Sequence, residues 1–170
     1  MKFSELRFEM SEWGDIILME GENRRRFSRV NIQWAARLDF GIMEYKRFVD
    51  NVSLSGFHIE GDFKQKTNDL CIIKLTPSGL LHTVEAVRAI GTVSRISETG
   101  MAMEFLSMKL DSFFFLETTL LYKAIDPGAL GREFIWNNSL DFEGDIVYFR
   151  PYHMKQWDIK HLSNFFLRKK

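Results

Sequence analysis

Apolar residues recur at every second position through the middle of this chain, and at every third or fourth position beyond Leu110. In Gln33–Phe40, Trp34, Ala36, Leu38 and Phe40 alternate with Gln33, Ala35, Arg37 and Asp39. Successive side chains of a strand point to opposite faces, so a period of two describes a strand with one buried face. Further strands are predicted over Tyr45–Leu54, Gly56–Glu60, Leu70–Thr76, Val84–Ile96 and Met101–Leu106, with Gly91 marking a bulge or bend. Pro77-Ser78-Gly79 and Glu98-Thr99-Gly100 supply turns between them. Short strands separated by turns, with no helices between them, favour a small barrel or sandwich over a parallel sheet.

The change of period predicts a helix after the last of these strands. Leu110, Phe113, Phe114, Leu120, Leu121 and Ala124 fall on one helical face, while Phe115, Leu116 and Tyr122 lie off it. Asp126-Pro127-Gly128 ends that helix. Gly144–Arg150 reads as another strand, and Gln156–Leu167 as a final helix with Ile159, Leu162 and Phe166 on one side. That last face is expected to cover Phe115, Leu116 and Tyr122, with a homodimer contact as the alternative cover.

Composition narrows the function classes. Lys and Arg number 23 and Asp and Glu also 23, which argues against a protein basic all over, and no DNA partner is expected. No apolar run approaches the roughly 20 residues of a membrane span. Cys71 is the only cysteine and sits in Leu70-Cys71-Ile72-Ile73, so a buried inert thiol in a reduced, cytoplasmic protein is expected. The histidines, at 58, 82, 153 and 161, form no i, i+4 metal pair, and His58 beside Phe57 and Ile59 reads as structural. There is no Gly-rich phosphate loop and no nucleophile elbow. The chain is therefore expected to be no enzyme and to hold no metal and no cofactor.

Charge is unevenly placed. Residues 1–22 hold Lys2 and Arg7 against Glu5, Glu9, Glu12, Asp15, Glu20 and Glu22, a net of −4. Arg24, Arg25, Arg26 and Arg29 follow at once. A guanidinium is planar, permanently charged and forked, so it matches phosphate oxygens and the O6/N7 edge of guanine, and it stacks on bases. Farther along, Asn51-Val52-Ser53-Leu54-Ser55-Gly56 joins two predicted strands. Asn51 and Ser53 share a side of an extended segment and offer an amide and a hydroxyl. Gly56 removes a side chain where the backbone turns or a ligand approaches.

In this order and strand context, the two elements resemble the PilZ domain, the bacterial cyclic di-GMP receptor module. Arg25-Arg26-Phe27-Ser28-Arg29 fits its RxxxR motif before the first barrel strand, and Asn51–Gly56 fits its (D/N)xSxxG motif. The resemblance spans about Glu22 to Ala124. It implies a mainly β fold, a small antiparallel barrel with a helix after the last barrel strand, here followed by a strand-helix extension. The domain boundaries expected are an acidic segment 1–21, a barrel plus helix 22–126, and an extension 127–170 on or beside the barrel. It also implies that Arg25 and Arg29 contact phosphate and guanine, and that Asn51, Ser53 and Gly56 form the wall that receives them. An arginine at the position of Arg24 goes, in similar proteins, with an intercalated pair of cyclic di-GMP molecules. The implied partners are cyclic di-GMP and an unidentified downstream protein, with a homodimer open. Two alternatives remain: a PilZ-like adaptor that binds only protein, whose relatives usually lack the arginines, and an RNA-binding β-barrel, for which a stacking aromatic platform is missing.

Overall fold

The computed structural model describes residues 27–78, 85–136, 140–150 and 160. Strands β1 (Val30–Asp39), β2 (Glu44–Ser53), β3 (Gly56–Glu60), β4 (Leu70–Pro77), β5 (Val87–Ser97) and β6 (Gly100–Lys109) are followed by helices α1 (Leu110–Lys123) and α2 (Pro127–Trp136). A hairpin of β7 (Leu140–Glu143) and β8 (Ile146–Phe149) comes next. The strands pair antiparallel in the order β3-β2-β1-β4-β5-β6-β8-β7, and a further β3–β6 pairing closes the first six into a barrel. The mainly β, small antiparallel barrel with a helix behind it is thus the observed fold. Closure leaves no free edge among these six strands over the paired length, which removes the usual hazard of edge-to-edge association.

Alternation builds the interior. Val30, Ile32, Trp34, Ala36 and Leu38 of β1 are buried, as are Cys71, Ile73 and Leu75 of β4. On β3, Phe57 and Ile59 point inward. An aromatic line runs from Phe57 through Phe105 and Phe149 to Phe113 of α1, with centroid separations of 5.8, 5.9 and 6.3 Å. Two register shifts interrupt the β5–β6 ladder, one at Ile90/Gly91 as the glycine suggested and one between Val93 and Arg95.

The helical region departs from expectation in three ways. The stripe of α1 that faces the core is Phe113, Leu116 and Leu120, with Ser112, so Leu116 is covered by the barrel and needs no second cover. Phe114, assigned to the inner face, is half exposed. Seven of the helix's residues are Leu or Phe, so periodicity alone admits more than one stripe, and the barrel end chooses among them. Asp126-Pro127-Gly128 ends α1 but also begins α2. The Asp126 Oδ1 accepts the Ala129 N–H at 2.9 Å as an N-cap, and Pro127 occupies the first helical position, where a missing N–H costs nothing.

The strand expected over Gly144–Arg150 is half of a hairpin. Glycine at 144 has φ +62° and supplies the turn. Strand β8 pairs with β6 through Ser107–Lys109, taking over the edge beyond the point where β3 stops. Its Val147 and Phe149 join the main core, while Ile146 and Tyr148 form a second cluster with Ile90 and Leu106. Of the final helix expected over Gln156–Leu167, only Lys160 is described. It is helical, its Nζ pairs with Glu143 at 2.5 Å, and it lies 5.6 Å from the Tyr148 ring. Lys160 therefore sits on the hairpin. Ile159, Leu162 and Phe166 lie outside the described residues.

Candidate functional site

The second sequence motif is a hairpin knitted to itself. Ser53 pairs with Gly56 across the β2–β3 turn, and its Oγ donates to the Gly56 carbonyl at 2.9 Å and lies 3.2 Å from the Ser55 Oγ. The Ser55 carbonyl in turn accepts the Phe105 N–H at 2.8 Å, tying the turn to β6. Val52 and Leu54 point into the core, so Asn51 and Ser53 lie on the outer face of the barrel. Ser53 is nevertheless buried, beneath its own turn. The Asn51 Oδ1 is buried and has no hydrogen-bond partner among the described residues.

Gly56 serves the barrel itself. A Cβ at this position would stand 2.0 Å from the Met103 carbonyl oxygen, and one at Gly100 would stand 2.1 Å from that of Ile59. These two glycines occupy opposite ends of the five-residue β3–β6 ladder, in which Gly56 faces Glu104 and Glu60 faces Gly100. The backbones approach too closely there for any side chain, which accounts for the glycine without invoking a ligand.

The first motif enters beside the second. Val30 pairs with Val52 and Asn31 with Asn51, so Arg29, one residue earlier, arrives level with Ser53. Phe27 is buried, and Ser28 is hydrogen-bonded to helix α2. Arg24 and Arg25 lie outside the described residues. Of the six residues singled out in the sequence, Arg29, Asn51, Ser53 and Gly56 are brought to one region at the start of β1 and the β2–β3 turn.

The outer wall carries both signs of charge, with Glu60 on β3 and Glu104 opposite Gly56 on β6. On β3, Gly56, His58 and Glu60 share the outer face, between the buried Phe57 and Ile59. Burial, and then the guanidinium groups of Arg29 and Arg95, hold the His58 imidazole below its ordinary value, against a smaller opposing effect of Glu60. Arg29 and Arg95 thus converge on the outer face of β3 from two sides. Arg95 sits opposite Ala102 on β6, itself opposite His58. Sequence reasoning passed over Arg95, Asn31 and His58 as site residues. Arg95 and His58 each lie in a segment of strand pattern, and neither carries a signal until the closure of the barrel sets β5 and β3 on either side of β6.

A groove of about 230 Å³ borders the same segment. It runs between Ser28–Asn31 and the α1–α2 corner, with Arg29, Lys123, Asp126 and Glu133 in its lining. Its charge is mixed. Among the described residues, no group of three His, Cys, Asp or Glu side chains is set to hold a metal ion, and no helix is long and apolar enough to cross a membrane. Burial pushes the Cys71 thiol far above its usual range, as a core position requires.

Fold and site together define a closed six-stranded antiparallel barrel on whose outer wall Arg29 and Arg95 act on His58 near the start of the first strand. Comparison with protein-family models and with curated proteins gives no match. Among solved structures, the chain is similar to the Bacillus subtilis inhibitor of motility (MotI/DgrA), with a TM-score of 0.48 and 14% identity over 68% of this chain and 54% of that one. The chain therefore spans about half the length of that protein.

Proposed function

We propose that this protein is a cyclic di-GMP sensor module, without catalytic chemistry of its own, that presents a ligand-ordered surface to a protein partner. The observation that carries the reading is the meeting of the two motifs. The Asn31–Asn51 pair sets Arg29 level with Ser53, and Arg29 and Arg95 together act on His58. A cyclic dinucleotide combines two phosphates with two guanines, and guanidinium groups serve both. In this reading Arg24 and Arg25 complete the grip, and an arginine segment that orders on the ligand is the switch.

Titration calorimetry with cyclic di-GMP tests the reading, with a single-stranded RNA of mixed sequence as the competing ligand. Tight binding of the dinucleotide and none of the RNA is expected. Arg29→Ala removes a charge-assisted contact of about 1.5–3 kcal/mol and should weaken affinity at least tenfold. Absence of heat with cyclic di-GMP would overturn the reading in favour of a protein-only adaptor, and retained affinity in Arg29→Ala would overturn the site.

A further inference from the structure

The arginine motif is anchored by an element that neither sequence motif contains. Phe27 and Ser28 are the two residues that precede Arg29, and each meets a residue of helix α2, about a hundred positions later in the chain. The Phe27 ring is 2% exposed and meets the Phe134 ring edge-on at 5.7 Å with an interplanar angle of 72°. Ser28 gives both of its donors to one carboxylate. Its backbone N–H donates to Glu133 Oε2 at 2.7 Å, and its hydroxyl donates to Glu133 Oε1 at 2.6 Å. Adjacent residues of the motif are therefore matched by adjacent residues of the helix.

The two contacts constrain different things. The ring pair fixes depth, because Phe27 belongs to the main core cluster together with Phe134. The two-pronged Ser28–Glu133 contact fixes both the backbone position and the side-chain rotamer of the residue next to Arg29. Hydrogen bonds to an ionised acceptor are the stronger kind, and both oxygens are used. The helix is itself held in place. Leu130 and Phe134 are buried, the Asp126 cap starts the helix, and a Cβ on Gly131 would lie 3.7 Å from Leu121 of α1.

We propose that α2 is the docking element of the arginine segment, and that Glu133 is a positioning residue that sets where Arg29 meets the barrel wall. Its consequence for ligand affinity rests on the cyclic di-GMP reading above. The docking itself does not, because it is made in the free protein.

Trypsin reads the docking without any ligand. The Arg26–Phe27 bond is cleavable only when Phe27 leaves its place against Phe134, so its cleavage rate reports the undocked population. The Lys66–Thr67 bond, in the exposed segment between β3 and β4, is the internal reference. Glu133→Ala should raise the ratio of the two rates at least tenfold. Ser28→Ala, which keeps the backbone donor, should raise it about threefold, and Glu133→Gln, which keeps one acceptor oxygen, should fall between. Ile135→Ala, on an exposed position of the same helix, should leave it unchanged. A folded Glu133→Ala protein with the wild-type ratio overturns the proposal, as does a rise at both bonds alike, which would mean general destabilisation. Calorimetry then supplies the second readout, with at least fivefold weaker cyclic di-GMP binding expected for Glu133→Ala. A segment that opens while affinity stays unchanged overturns the positioning role. A wild-type protein that does not bind the dinucleotide, with the tenfold rise still seen, removes the nucleotide reading and supports the docking.

Discussion

Replacing Gly56 by alanine separates a glycine kept for the barrel from one kept for a ligand. The added Cβ would stand 2.0 Å from the Met103 carbonyl oxygen, 3.0 Å from its carbon and 3.1 Å from the Glu104 Cα. All three atoms are backbone, so no side chain can swing aside. Non-bonded heavy atoms rest at roughly 3.5 Å, and β3 must therefore withdraw from β6 by more than about 1 Å. That movement strains the Ser53 Oγ to Gly56 carbonyl bond and the Phe105 N–H to Ser55 carbonyl bond, both of which hang on the same turn. Two lost hydrogen bonds at about 1 kcal/mol each, with overpacking strain of about 1–3 kcal/mol, give a destabilisation of roughly 3–5 kcal/mol. For a domain of this size that corresponds to a fall in Tm of roughly 6–20 °C. Thermal unfolding followed by circular dichroism, repeated with urea, measures it. A Gly56→Ala protein that melts within 2 °C of wild type but loses cyclic di-GMP binding would refute the reasoning, because it would mean that the glycine makes room for a ligand and not for Met103.

Three further outcomes follow from named residues. Leu116→Ala should cost about 2–5 kcal/mol by urea unfolding, whereas Tyr122→Ala, 82% exposed, should change stability by no more than about 0.5 kcal/mol; a Leu116→Ala protein as stable as wild type would return Leu116 to the outer side where the sequence stripe left it. His58 carries a folded-state pKa below its unfolded value near 6.5, chiefly through burial, so the unfolded chain binds its proton more readily. Stability should be complete above about pH 6.5 and decline as pH falls below it, until the folded-state value is passed. His58→Gln should flatten that part of the profile measured by urea unfolding between pH 5 and 7.5, and an unaltered slope would contradict the assignment. The Cys71 thiol, buried in β4, should react with a thiol-specific reagent only at the rate of unfolding, and rapid labelling of the native protein would show that the barrel opens there.

The barrel was legible in the sequence because a strand with one buried face needs nothing but alternation, which is local. Trp34, Ala36 and Leu38 announce themselves by spacing alone, and turn residues mark where such strands stop. The chemistry of the arginine run and of Asn51-Val52-Ser53-Leu54-Ser55-Gly56 was legible for the same reason, since the guanidinium fork and the missing side chain of glycine are properties of the residues themselves. What α1 buries was legible only in part: Phe113 and Leu120 stood in the stripe read from the sequence, Leu116 did not. A segment as rich in Leu and Phe as Leu110–Tyr122 offers several stripes, and only the shape of the barrel end selects Phe113, Leu116 and Leu120. Asp126-Pro127-Gly128 could be read as a stop but not also as a start, because an N-cap is recognisable only once the helix it caps has something to pack against. Nor could sequence order reveal that Glu133 and Phe134 grip Ser28 and Phe27, or that Arg95 joins Arg29 at His58. Residues set its local periods and its chemistry, while the closure of β3 on β6 and the packing of α2 decided which distant side chains meet, because those encounters depend on three-dimensional distance and leave no trace in spacing along the chain.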